Sequence, residues 1–136
     1  MKKIVIIIIV LIIGAFGFVA FNLAQDELEI NLENSTKQEI SGLHLTYENI
    51  ESKVQVPSIA PGKKIKVTVN PMKDSGGGFG EESLKLEYKD NEGNSHTEYV
   101  IEYFEEGYSG EADVEIKSID ENGKLEIIIK YSSTVF

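Results

Sequence analysis

From Leu28 onward, apolar residues recur at every second position in one short run after another. That period places one face of a strand in a core and the other in water. Leu28, Ile30 and Leu32 alternate with Glu29, Asn31 and Glu33, and Leu43, Leu45 and Tyr47 are interleaved with His44 and Thr46. Val54 and Val56 run into Pro57, and Ile59 precedes Pro61-Gly62. Ile65, Val67 and Val69 stop before Pro71; Leu84, Leu86 and Tyr88 repeat the pattern. A run from Thr97 to Phe104 follows, then Ala112, Val114 and Ile116, and last Leu125, Ile127, Ile129 and Tyr131.

The breaks between runs carry turn chemistry. Asn34-Ser35, Pro61-Gly62, Asp90-Asn91-Glu92-Gly93-Asn94, Glu106-Gly107 and Asp120-Glu121-Asn122-Gly123 all supply residues that pre-form a turn or tolerate positive φ. Asn122-Gly123, between two alternating runs, is the strongest hairpin signal. No helical period is evident after residue 27. Seven or eight short strands at regular spacing predict an all-β domain, an Ig-like antiparallel β-sandwich of about seven strands, with a small barrel as the alternative. One run stands apart, because Tyr99, Ile101 and Tyr103 lie on one face and Val100 and Phe104 on the other. This predicts a central strand partly covered on its second face; the alternative is an exposed strip of tyrosines.

The N-terminal stretch has a different character. Ile4 to Phe21 is free of charge and of strongly polar groups, and Leu23 and Ala24 extend it past Asn22. About 20 residues at about 1.5 Å each span the hydrocarbon of a bilayer, and in lipid a helix satisfies its own backbone. Residues 1–24 are therefore expected to form a cytoplasmic stub and one transmembrane helix, with Ile4, Ile9, Ile13, Phe18 and Phe21 among its lipid anchors. Residues 25–136 form the domain outside. Lys2 and Lys3 before the helix, and Asp26, Glu27 and Glu29 after it, place the N-terminus in the cytoplasm. The alternative is a cleaved signal peptide, which would make the domain secreted; its best small-residue triplet is Ala15-Phe16-Gly17.

Composition narrows the functions. With Lys2 and Lys3 set aside, the outer domain has 11 lysines against 23 acids, a net of −12. Such a surface repels nucleic-acid phosphates and anionic headgroups, so nucleic acid is excluded as a partner. The absence of cysteine removes disulfides, thiol catalysis and a lipidated cysteine. The lack of arginine, beside abundant Ile, Lys, Glu and Asn, suggests an AT-rich bacterial genome.

The sequence Asn34-Ser35-Thr36, a short strand to Leu45-Thr46-Tyr47, and Val56-Pro57-Ser58-Ile59-Ala60-Pro61-Gly62 leading into Ile65-Lys66-Val67-Thr68-Val69 resembles bacterial extracellular Ig-like and CARDB-type modules. The resemblance covers about half of the outer domain and consists of turn grammar. It implies a surface adhesion or accessory role and transfers no functional residues.

Candidate chemistry is sparse. His44 and His96 would have to converge with carboxylates to hold a metal, and both are expected on solvated strand faces. The acidic turns at 90–94 and 120–123 place oxygens near a glycine but lack the continuation of a calcium loop. Ser75-Gly76-Gly77-Gly78-Phe79-Gly80 lacks the lysine and helix of a phosphate cradle and is followed by Glu81-Glu82, so a flexible loop is expected. Asn34-Ser35-Thr36 matches a glycosylation acceptor pattern as a chance feature of a turn. No catalytic set, metal site or cofactor is predicted.

The expected function is a non-enzymatic binding or accessory module of unknown ligand. Phe79, Tyr99, Tyr103 and Tyr108 are its candidate contact residues, carried with loops 73–82 and 105–110. Its partners are the lipid bilayer, through the N-terminal helix, and an envelope or membrane protein within reach of a short tether. The alternatives are a membrane-tethered immunity or inhibitor protein directed at a basic toxin and a carboxylate-dependent envelope enzyme.

Overall fold

The computed structural model describes residues 27–71, 80–105 and 108–134. The expected membrane helix and its anchors Ile4, Ile9, Ile13, Phe18 and Phe21 lie outside the described residues, as does Phe79. Among the described residues no helix is long and apolar enough to cross a membrane.

Every alternating run becomes a strand. In chain order these are β1 (Leu28–Asn34), β2 (His44–Thr46), β3 (Val54–Gln55), β4 (Lys64–Val69), β5 (Glu82–Lys89), β6 (Ser95–Phe104), β7 (Ser109–Ile119) and β8 (Leu125–Thr134). They form two four-stranded sheets, ordered β4-β1-β7-β8 and β3-β2-β5-β6. The chain changes sheet after β1, β3, β4 and β6, so the apolar faces of both sheets are built from interleaved parts of the sequence. The result is an eight-stranded β-sandwich.

The core follows the parity of each run. Leu28, Ile30, Leu32, Val69, Val114 and Ile116 from the first sheet meet Leu45, Leu84, Leu86, Ile101 and Phe104 from the second, all essentially without exposure. Full burial of each such side chain contributes about 1.5–3 kcal/mol. Tyr47 and Phe104 meet edge to face, with ring centroids 5.5 Å apart and planes at 86°.

Two expectations are corrected. The sandwich is not wholly antiparallel, because β1 runs parallel to β7, with Leu28 opposite Gly110 and Asn34 opposite Ile116. No tight turn links these two strands, so nothing local fixes their relative direction, and the long intervening chain supplies the crossover that a parallel pair needs. Nor is β6 a central strand, since it lies at the end of its sheet beside β5. Its doubly apolar run arises from register shifts against β5 between Glu82 and Lys85. They bury the consecutive pair Val100 and Ile101 and leave Tyr99 and Tyr103 outside.

The β5–β6 and β7–β8 hairpins share one turn design. In each, an aspartate carboxylate oxygen accepts two backbone N–H groups: Asp90 from Glu92 and Asn94, and Asp120 from Asn122 and Lys124. Gly93 and Gly123 close the turns at φ 84° and 83°. Among the described residues only glycines have positive φ, so Asn122-Gly123 is the end of a three-residue loop with one left-handed position, not a two-residue turn with two. The tips dock together, with Asn91 N donating to Asn122 O at 2.8 Å. A Cβ on Gly123 would stand 2.7 Å from the Asn91 amide oxygen.

Candidate functional site

The outer faces of the two sheets differ in what they leave uncovered. On the second sheet, cross-strand register sets Tyr99 of β6 opposite Lys85 of β5. The Lys85 ammonium sits 5.6 Å from the Tyr99 ring centroid, a cation–π distance. Tyr99 and Tyr103 are 55% and 47% exposed, the two most exposed large apolar side chains among the described residues. They share a shallow cleft of about 350 Å³ lined also by Glu48, Glu81, Glu82, Ser83, Lys85 and Glu102.

The cleft is fixed from below and from the side. Phe104, the neighbour of Tyr103, is fully buried, and the Ser83 hydroxyl donates to Glu102 O at 2.6 Å. Glu82 has the parity of Leu84 and Leu86 and is therefore buried. Its carboxylate accepts from Glu48 N at 3.1 Å and from the Asn49 amide, so it holds the turn after β2 against β5. Glu82 is thus a positioning group, not a free ligand. The Tyr103 hydroxyl donates to Glu105 at 3.1 Å. This bond, with slight desolvation and the charge of Glu105 and Glu81, pushes the phenol above its ordinary value. The strip consequently offers two aromatic faces in a strongly negative surround with one lysine.

The other candidate residues are dispersed. Tyr108 is half-buried, packs against the core and covers Gly110, where an added Cβ would lie 2.9 Å from its ring. The structure thus brings Tyr99 and Tyr103 together and leaves Tyr108 apart.

The histidines occupy opposite faces of the second sheet. His44 pairs outward with Glu87 at 3.2 Å, and Lys53 reaches the same carboxylate at 3.0 Å. Lys53, and after it His44, hold Glu87 below the usual carboxylate range. His96 lies opposite Tyr88 on the inward side, stacked on its ring at 5.0 Å, and meets Asp90 at 2.8 Å. That contact, aided by the turn N–H groups, lowers the Asp90 carboxyl to about 2. Tyr88 also accepts from Leu125 N at 2.9 Å, and burial pushes its phenol upward. Both histidines are part-buried and partnered, so neither lies on a freely solvated face. No group of three His, Cys, Asp or Glu able to hold a metal occurs among the described residues.

Asn34, the first residue of the glycosylation-like triplet, is wholly buried. Its amide donates to Gln38 O at 2.7 Å and Ile59 O at 2.9 Å, and its carbonyl accepts from the backbone and hydroxyl of Thr36. It is a loop anchor and offers no nitrogen for modification. Asn34 and Glu82 both went unrecognised in the sequence, although their parity with the core positions beside them was the available signal.

Comparisons with known proteins add little. No family model matches the chain, and no curated protein does. Among solved structures, an NMR structure of a protein from Eubacterium rectale is similar at TM-score 0.43 and 16% identity, covering 78% of this chain and 90% of that one.

Proposed function

We infer that this chain is a non-enzymatic binding or accessory module held at the outer face of a membrane. Residues 1–24 serve as its cytoplasmic stub and transmembrane helix, and an Ig-like sandwich of the extracellular adhesion or accessory type projects outside. The observation that carries the proposal is the exposed pair Tyr99 and Tyr103 on the outermost strand β6. Tyrosine contributes large contact area at low conformational cost and is enriched where proteins bind one another. The flanking charges of the apolar N-terminal stretch support the orientation. The start of β1 at Leu28 keeps the domain near the bilayer and favours an envelope or membrane protein as the partner. A photo-crosslinking residue at Tyr103 or, as a control, at Asp113 on the other sheet tests this in intact cells. The expected outcome is capture of an envelope protein from position 103 alone. Equal capture from both positions, or none from 103, overturns it.

A further inference from the structure

We propose that the Tyr99–Tyr103 strip receives an extended, lysine- or arginine-bearing segment of a partner protein, whose cations lie over the two tyrosine rings between the flanking glutamates. This rests on the binding-module reading and adds the chemistry of what is bound.

The first argument is charge. The cleft holds Glu48, Glu81, Glu82 and Glu102 against Lys85 alone, and Glu105 adjoins it through Tyr103. A phenol face attracts cations through its quadrupole, and carboxylates beside it add to that attraction. Lys85 shows that a cation fits here, since its ammonium already sits over Tyr99. The same negative surround disfavours a second copy of this chain, whose net charge is −10.

The second argument is spacing. Tyr99 and Tyr103 line one cleft on β6. The register shifts that set Tyr99 opposite Lys85 and Phe104 opposite Glu82 compress this stretch to the span of three β5 residues, about 10 Å, so the two tyrosines stand closer than that along the strand. In an extended partner, side chains two residues apart point the same way and lie about 7 Å apart. A segment with cations at that interval therefore meets both rings at once, whereas a single free cation or a compact basic loop meets one.

The test uses the full chain, isotopically labelled and held in zwitterionic detergent, titrated with a peptide of alternating lysine and glycine. A matched peptide of alternating glutamine and glycine is the control. Chemical-shift changes are expected to centre on Lys85, Tyr99, Glu102 and Tyr103 and to be absent with the control peptide. Tyr99→Ser with Tyr103→Ser should weaken lysine-peptide binding at least tenfold, while Glu111→Gln with Asp113→Asn on the other sheet should change it less than twofold. Unchanged amide spectra away from β6 verify that the variants remain folded. Shifts spread over both acidic faces, or equal weakening by both double variants, would show attraction by net charge only and overturn the proposal. If the lysine peptide fails while crosslinking from position 103 still captures an envelope protein, the binding module stands and the basic-segment proposal falls. If both fail, the binding reading falls with it.

Discussion

The two outer faces of the sandwich are built on the same alternation, yet one closes its polar groups on itself and the other does not. On the first sheet Glu29 meets Lys66 at 3.4 Å and Glu33 meets Lys64 at 3.8 Å. The Asn31 amide donates to both Glu111 and Asp113, and the Ser35 hydroxyl donates to Glu115, lowering that carboxyl. The exposed Ile128 stands singly beside charges of both signs. On the second sheet the β2 side is compensated in the same manner by His44, Lys53 and Glu87. The β6 side instead presents two tyrosines in an acidic rim. A face whose charges are paired across strands is explained by solubility and modest stabilisation, whereas Tyr99 and Tyr103, with single contacts to Lys85 and Glu105, stay about half exposed among the described residues.

The sharpest way to break this comparison is to remove the core that both faces share. Phe104→Ala deletes a fully buried ring beneath the tyrosine strip and should cost about 3–5 kcal/mol. Amide signals from both sheets should then be lost together in denaturant. Independent loss of the second sheet would show that the faces belong to separable units. A smaller effect is expected on the first sheet, where Asn34→Ala removes the buried amide that donates to the Ile59 and Gln38 carbonyls and accepts from Thr36, leaving those carbonyls only Ile40 N and the Thr36 hydroxyl. That change should cost about 2–3 kcal/mol in chemical denaturation. A loss under 1 kcal/mol would mean that water replaces the amide.

Much of this organisation was legible in the alternation, and the exceptions share a cause. Leu28, Ile30, Leu32, Leu84, Leu86, Val114 and Ile116 are buried as their parity requires. Parity alone misplaces the run 97–104, because it presumes an unbroken register. The shifts opposite Glu82–Lys85 turn consecutive residues Val100 and Ile101 inward. Asn34 and Glu82 were missed for the opposite reason: their parity was right, but a polar residue type argues for solvent until its partners are known. Those partners, Gln38 and Ile59 for Asn34 and the turn at 48–49 for Glu82, are tertiary. The direction of β1 against β7 is likewise invisible to a local pattern.

The hairpin beneath β6 offers a pH-dependent way to sharpen the comparison. Asp90 titrates at about 2 in the folded chain against an ordinary 3.8, chiefly through His96. A carboxyl depressed on folding contributes stability that is present above its ordinary value and is lost as the pH falls toward 2. His96→Ala should therefore move the Asp90 titration upward, measured by carboxyl-carbon NMR, and raise the pH at which the second sheet begins to open in acid. The turn N–H groups of Glu92 and Asn94 should keep it somewhat below 3.8. An unmoved titration would assign the depression to the turn alone.

The smallest stability effects are expected from the surfaces themselves. Lys64→Ala with Lys66→Ala removes two exposed ion pairs and should change stability by less than about 1 kcal/mol. Tyr99→Ser with Tyr103→Ser should do no more than about 0.5 kcal/mol. If the tyrosine pair instead proves as costly as a core deletion, its exposure is a structural device and the contrast between faces disappears.

The most direct measurement is hydroxyl-radical footprinting of the full chain, in intact cells and after purification in detergent, read residue by residue by mass spectrometry. Tyr99 and Tyr103 report on the second sheet, and the exposed Ile128 serves as the internal reference on the first. Binding through the tyrosine strip predicts that both tyrosines are modified several-fold less in cells than in the purified chain, while Ile128 reacts equally in both. Equal modification of the tyrosines in the two states, or equal protection of Ile128, would contradict it.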